Sequence, residues 1–304
     1  MGHMELKPIT PVTQEEFAKY ENRRPVFTSE GHFLSQFLWT HYYHTRYGTD
    51  DLALYLFFHR NGIDGALPPL CREEDIPEVF HRLESRFHDT LGEKNRLYLA
   101  DARMVEILTE AGCLENYEVT PDRDSFDYIY EAERLRSLSG RALHKKKNLL
   151  NGFLREYEGH FSYETLGHQH TEEIRQFHQR WLEERQVYDK YNSIQDEKEG
   201  VSRLLDNIDT LSFQMGGVRI DGELKAYTIG HYEPALRCAF IHIEKADINY
   251  HGLYNYINQQ FLVHEFPEAE FVNREDDLGQ ENLRHAKLSY RPLRLEEKFT
   301  IRER

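Results

Sequence analysis

The 304 residues contain no apolar run long enough to cross a bilayer, only three cysteines, and fewer positive than negative charges. The longest apolar stretches, such as Leu52–Phe58, fall far short of the roughly 18–20 residues that a membrane helix needs. A lipid substrate would therefore have to be met from solution. Cys71, Cys113 and Cys238 are odd in number, far apart and in no CxxC spacing, which signals neither a disulfide framework nor a zinc ribbon. None of the 17 histidines lies in an HExxH motif, and His168-Gln169-His170 or His41 with His44 lack a matching third ligand, so no metal is expected. P-loop, nucleophile elbow and dinucleotide-binding loop are missing as well. Met1-Gly2-His3 ahead of Met4 reads as a cloning remnant, no charged-then-apolar leader follows, and a cytoplasmic location is expected.

What is present is ordinary for a globular protein, with 39% apolar and 30% charged residues, 18 Phe and 19 Tyr. At typical domain sizes of about 100–200 residues, this length suggests two domains. The net charge of −15 argues against indiscriminate attraction to nucleic acid or anionic membrane. One segment reverses that balance. Between Arg134 and Arg155 there are seven Lys or Arg residues and no Asp or Glu.

Thr13 followed by Glu16 is a capping-box pattern that opens a short helix. Asn61-Gly62 between Leu52–Phe58 and Ile63–Leu67 is a strong hairpin signal, ended by a break at Pro68-Pro69. A helix (Ile76 to Phe87), a strand (Leu97 to Leu99), a helix (Met104 to Ala111) and a strand (Tyr128 to Tyr130) complete the first half. Residues 134–158 pattern as one long amphipathic helix, apolar on one face and lysine-rich on the other. The second half then runs strand, two helices, three strands with Asp221-Gly222 joining the first two, then helix, strand, helix and a terminal strand from Leu293 to Ile301. The last part of this β-αα-βββ-α-β-α-β order repeats the order of the first half. The expected fold is therefore α/β (α+β), with two tandem domains of mixed sheets flanked by helices. The expected divisions are 1–133, a basic connecting helix 134–159, and a catalytic domain 160–304.

That order is the order of the GNAT acyltransferase fold. Three stretches resemble a known family: Leu138 to Asn148, Phe240 to Asp247, and Phe271 to Gly279 continuing through Ala286 to Pro292. They are similar to proteins related to the C-terminal domain of phosphatidylglycerol lysyltransferase, a DUF2156-type tandem GNAT fold. Those enzymes move an amino acid from aminoacyl-tRNA to a lipid head group. Fem-type transferases, which add amino acids to peptidoglycan precursors, share the architecture. The resemblance covers most of residues 20–304 and implies an aminoacyltransferase with aminoacyl-tRNA as co-substrate and a lipid, peptide or small amine as acceptor. This chain departs from the lipid synthases in its acidity and in lacking a membrane-spanning half.

An acyl-CoA enzyme of this fold cradles pyrophosphate on backbone N–H groups at a helix start. Asn249-Tyr250-His251-Gly252-Leu253-Tyr254 stands at the equivalent place with the wrong first and last residues, which makes acetyl-CoA the less favoured donor. Strand periodicity puts His242 and Glu244 on one face. Amide or ester formation needs a tuned base, so Glu244 is the first candidate and His242 the second. Tyr290 is a candidate proton donor for the leaving group. Asn273, Arg274, Glu275 and Asp276, joined by Lys245 and Lys287 from the resembling motifs, are substrate-binding candidates. Arg141, Lys145, Lys146, Lys147 and Arg155 suit the phosphates of a nucleic acid. Plain structural readings stand beside each of these: a paired His–Glu, an internal salt-bridge network, a packing tyrosine and a solvated helix face. An acyl-CoA N-acyltransferase with a divergent cofactor loop and a non-catalytic binding protein are the rival functions.

Overall fold

The computed structural model describes residues 4–185 and 193–304; residues 1–3, read above as a cloning remnant, lie outside them. In chain order the first half contributes β1 (Lys7–Pro8), α1 (Gln14–Glu21), α2 (Phe33–Tyr43), β2 (Arg46–Thr49), β3 (Ala53–Arg60), β4 (Ile63–Cys71), α3 (Ile76–Arg86), β5 (Arg96–Asp101), α4 (Ala102–Glu110), β6 (Tyr117–Pro121) and β7 (Asp127–Glu131). There follow α5 (Ala132–Ser137), α6 (His144–Glu156), β8 (Phe161–Leu166), α7 (Thr171–Arg185), α8 (Ser193–Asp206), β9 (Gln214–Ile220), β10 (Glu223–Glu233) and β11 (Cys238–Ala246). The chain ends with α9 (Leu253–His264), β12 (Phe271–Asn273), α10 (Glu281–Ser289), β13 (Arg294–Glu296) and β14 (Lys298–Glu303).

These elements make two seven-stranded mixed sheets among the described residues, ordered β1-β2-β3-β4-β5-β14-β6 and β8-β9-β10-β11-β12-β7-β13. The two orders match position for position, which is the tandem GNAT arrangement. Their last strands are exchanged. β7 pairs with β12 through Tyr130 opposite Val272, whereas β14 lies between β5 and β6 with Ile301 opposite Leu97 and Val119. Two compact units result: 1–127 with 276–279 and 296–304, and 128–275 with 280–295. The strand at Tyr128 to Tyr130, expected to close the first half, thus belongs to the second sheet, and Phe299 to Ile301 belongs to the first.

Local chemistry explains most of the rest. Asn61-Gly62 and Asp221-Gly222 both adopt positive φ (53°, 74° and 51°, 83°) and join directly paired strands, the primed two-residue turn that matches strand twist. β4 runs through Pro68-Pro69 rather than breaking there. The ladder shifts register between Leu54 and Leu56, opposite the prolines, so their missing N–H groups are not required. The long helix expected over 134–158 is interrupted, because Leu138 (φ 46°) and Gly140 (φ 85°) turn left-handed between α5 and α6. In the first unit Tyr55, Phe57, Phe80, Phe87 and Ile301 pack into one core; in the second Tyr130, Phe153, Tyr256, Phe261 and Val272 do so.

Candidate active site

In the second unit the β10–β11 ladder pairs Ile229 with Ile243 but Gly230 with Ile241, so His242 is one residue too many on its strand. Such a bulge resets which face each later side chain occupies. Ala239, Ile241 and Ala246 consequently line one and the same core, which strict alternation would forbid. Glu244 falls on that side, where its Oε2 accepts from Asn258 Nδ2 of α9 at 2.9 Å. His242 falls beside His231, which is paired across the ladder with Phe240. The expectation that His242 and Glu244 share a face is therefore corrected by the bulge.

β11 and β12 run parallel and pair only from Cys238 with Phe271 to Phe240 with Asn273. Beyond that point Arg274 and Glu275 leave the ladder, and their turn is held from several sides. Asn273 Oδ1 accepts from the Glu275 N–H at 2.6 Å, which steadies the left-handed φ of 55° at Glu275. Lys287 Nζ donates to the carbonyls of Arg274 (2.6 Å) and Glu275 (3.2 Å), while the Tyr130 hydroxyl donates to the Lys287 carbonyl at 2.9 Å. Held in this way, the two side chains reach back to β11 at separate places.

Glu275 Oε1 lies 2.7 Å from His242 Nδ1, and His242 Nε2 lies 2.8 Å from His231 Nδ1. A carboxylate can only accept, so His242 carries its proton on Nδ1, and its Nε2 then accepts from His231 Nδ1–H. One residue away, Arg274 Nη2 donates to Glu244 Oε1 at 2.9 Å, and its guanidinium carbon is 5.1 Å from the Tyr290 ring centre. Asn255 Nδ2 donates to the Tyr290 hydroxyl at 2.5 Å, and Lys146 Nζ stands 4.3 Å from the Tyr290 ring centre. Burial pushes the Tyr290 phenol up to about 12 against the opposing charge of Arg274. Burial alone would pull Arg274 down, but Glu244 beside it holds it above its ordinary value. Lys146 is lowered by burial and then by Arg274.

Two sets result on opposite sides of β11, Glu244 with Arg274 and Tyr290 on one and His242 with Glu275 and His231 on the other, and buried Asn273 and Lys287 shape the turn that feeds both. Lys245 and Asp276 stand elsewhere. Lys245 is on the side of β11 opposite Glu244, 2.8 Å from Glu197 and over the Trp181 ring. Asp276 belongs to the first unit, where its Oδ1 accepts from Leu278 N–H. Lys146 does not share the solvated row of Arg141, Lys145, Lys147 and Arg155, all of which are exposed. His231, Asn255 and Asn258 had not been singled out. Only His231 left a signal, since the short turn at 234–237 places β10 beside β11.

At the start of α9, Gly252 has a φ of 85°, and a Cβ there would lie 2.4 Å from the Leu149 carbonyl oxygen and 3.0 Å from Phe153 Cβ. The glycine serves the close approach of α6, whose residues fill that side of the helix start.

A family model described as phosphatidylglycerol lysyltransferase, C-terminal, matches residues 23–302. A conserved protein of unknown function from Bacteroides thetaiotaomicron has a similar structure, with TM-score 0.89 and 25% identity over 99% of this chain and 100% of that one. The structure of L-PGS from Bacillus licheniformis is similar over 98% of this chain and 93% of that one, with TM-score 0.68 and 15% identity. An uncharacterized protein of Mycoplasmoides gallisepticum is 28% identical over 170 residues, 55% of this chain. That match spans about half of the curated relative, 53% of its length.

Proposed function

The chain belongs to the phosphatidylglycerol lysyltransferase C-terminal family, and from that premise we propose that it is an aminoacyltransferase. It takes an amino acid from aminoacyl-tRNA and places it on an amine or hydroxyl of a lipid head group, peptide or small molecule. The observation that carries this reading is the Glu275–His242–His231 chain standing one residue from the Arg274–Tyr290 pair.

Each part answers a need of the chemistry. The acceptor nitrogen or oxygen attacks the ester carbon where β11 and β12 part beyond Phe240 and Asn273, its proton passes to the imidazole chain of His231 and His242, and Glu275 stabilises the positive charge. The bond to the ribose oxygen then breaks, and that oxygen takes a proton from Tyr290, which burial keeps protonated near neutral pH. The proton on His231 returns the phenol to its starting state through solvent. Glu244 was the first candidate for base, but its two oxygens are engaged by Arg274 and Asn258. Its place in this scheme is to hold Arg274. Coenzyme A is less suited as donor, since Asn249 and Tyr254 stand where a pyrophosphate loop needs other residues and Gly252 serves the approach of α6.

The test is transfer of label from mixed radiolabelled aminoacyl-tRNA to fractionated lipids, peptides and small amines. Label should enter one fraction, and His231→Gln should abolish the transfer. Folded protein that moves label to no fraction would overturn the reading. Heat released on titration with acetyl-CoA would move the donor to an acyl-CoA.

A further inference from the structure

Lys146 departs from the lysines on either side of it. Lys145 and Lys147 are exposed on α6, whereas Lys146 stands on the same helical stripe as buried Leu150 and Phe153 and lays its ammonium against Tyr290. Its charge adds to that of Arg274, and Glu244 is the carboxylate bonded to that guanidinium. The other side chains described around the pair, Tyr130, Tyr290, Asn255 and Asn258, are neutral. Arg274 Nη2 is used by Glu244, but Nη1 is buried and has no hydrogen-bond acceptor among the described residues. A buried charged donor without an acceptor is costly, and a second cation beside it raises the cost. Both features are relieved by one event, the arrival of an anionic oxygen group between Arg274 and Lys146.

We propose that Arg274 Nη1 and Lys146 Nζ form an anion subsite for a phosphodiester of the donor RNA's 3′ end. This inference rests on aminoacyl-tRNA being the donor and says where its last phosphate goes. RNA is favoured over a lipid surface by the make-up of α6. Its apolar residues Leu150 and Phe153 are in the core, Leu149 and Leu154 are half-buried, and its exposed residues are His144, Lys145, Lys147, Asn148, Asn151, Arg155 and Glu156, so it has no exposed large apolar side chain of the kind an interfacial helix inserts. The fit with Tyr290 is direct, because the ribose oxygen that leaves belongs to the nucleotide whose phosphate would be held.

The experiment compares two RNA hairpins with single-stranded CCA ends, one natural and one with a neutral methylphosphonate at the last linkage, binding to the full chain. Wild-type affinity should fall roughly tenfold or more on loss of that charge. Lys146→Met and Arg274→Lys should bind both RNAs alike, at the weaker level. Equal binding of both RNAs by the wild type would remove the subsite and leave the donor assignment standing. No retention of either RNA by folded protein would remove both. Should Lys146→Met lose phosphatidylglycerol vesicles and not RNA, the subsite would belong to a lipid and the proposal would be overturned. If Arg274→Lys does not fold, Lys146→Met decides alone, since the methionine keeps the contact with the tyrosine ring.

Discussion

His231 and Glu244 separate two ways of handling a proton. A base that ends a relay loses its function when its imidazole is removed, so His231→Gln should lower the transfer rate by about 10²- to 10⁴-fold with little change in melting temperature. Glu275→Gln should act in the same direction but less, because His242 loses its orienting partner and not its ring. Glu244→Gln keeps the shape and one hydrogen bond of the Arg274 contact and should weaken binding of donor more than turnover; a full loss of turnover would return the base role to Glu244. In the first unit a different buried set titrates. Lys298 Nζ lies 2.7 Å from Glu30 Oε2 and 2.8 Å from Asp127 Oδ1. Burial pushes Glu30 up to about 7, with Lys298 opposing and Asp127 adding to it. The fold thus holds a proton on Glu30 that the unfolded chain has already released. Its contribution is complete below the free glutamate value and is lost as pH rises toward about 7. Melting temperature should therefore decline between about pH 5 and 8, and Glu30→Gln should flatten the decline. An unchanged slope in that variant would assign the effect to other groups.

At the scale of elements, packing decides what local pattern leaves open. Gly252 is the sharpest case, because a methyl group there meets both a left-handed backbone and the carbonyl of Leu149. Gly252→Ala should cost about 1–3 kcal/mol in urea unfolding; a loss below a few tenths would mean that α6 gives way. The two hairpins were legible because Asn-Gly and Asp-Gly state their own turn type. α2 was not, since Phe33 to Leu38 are buried on every side and leave no 3.6-residue alternation to find. The bulge at His242 was equally hidden. An inserted residue changes no composition and shows only as a register against β10, yet it moves His242 to the other side of the strand from Glu244. Arg274 and Glu275 are both candidates by residue type, but with His242 and Glu244 read on one face of an unbroken strand the two pairs could not be matched. Three consecutive lysines look alike until the helix phase is fixed by Leu150 and Phe153, so composition alone puts Lys146 on the solvent face with Lys145 and Lys147.

Across the whole molecule, the exchange of β7 and β14 is the feature that no local pattern could carry. Tyr128-Ile129-Tyr130 and Phe299-Thr300-Ile301 are both short apolar strands, and either could complete either sheet by composition alone. What distinguishes them is distance along the chain, since each is inserted between strands of a sheet mostly built by the other half. The distribution of charge is, by contrast, visible in the sequence and makes a prediction at the same scale. A chain of net charge −15 that binds RNA must do so through a confined surface, and the exposed residues Arg141, Lys145, Lys147 and Arg155 are such a surface. Each phosphate contact removed lowers the dependence of log affinity on log salt by about 0.7–0.9, so Lys145→Glu with Lys147→Glu should reduce the slope of tRNA binding by about 1.5. The same change in net charge made elsewhere, Lys7→Glu with Lys19→Glu, is the control, because both of those lysines are exposed on the first unit. It should shift affinity slightly and leave the slope unchanged if contacts, rather than overall charge, hold the RNA. Equal slopes in the two double variants would show that the basic helix makes no phosphate contact, whatever the chain transfers.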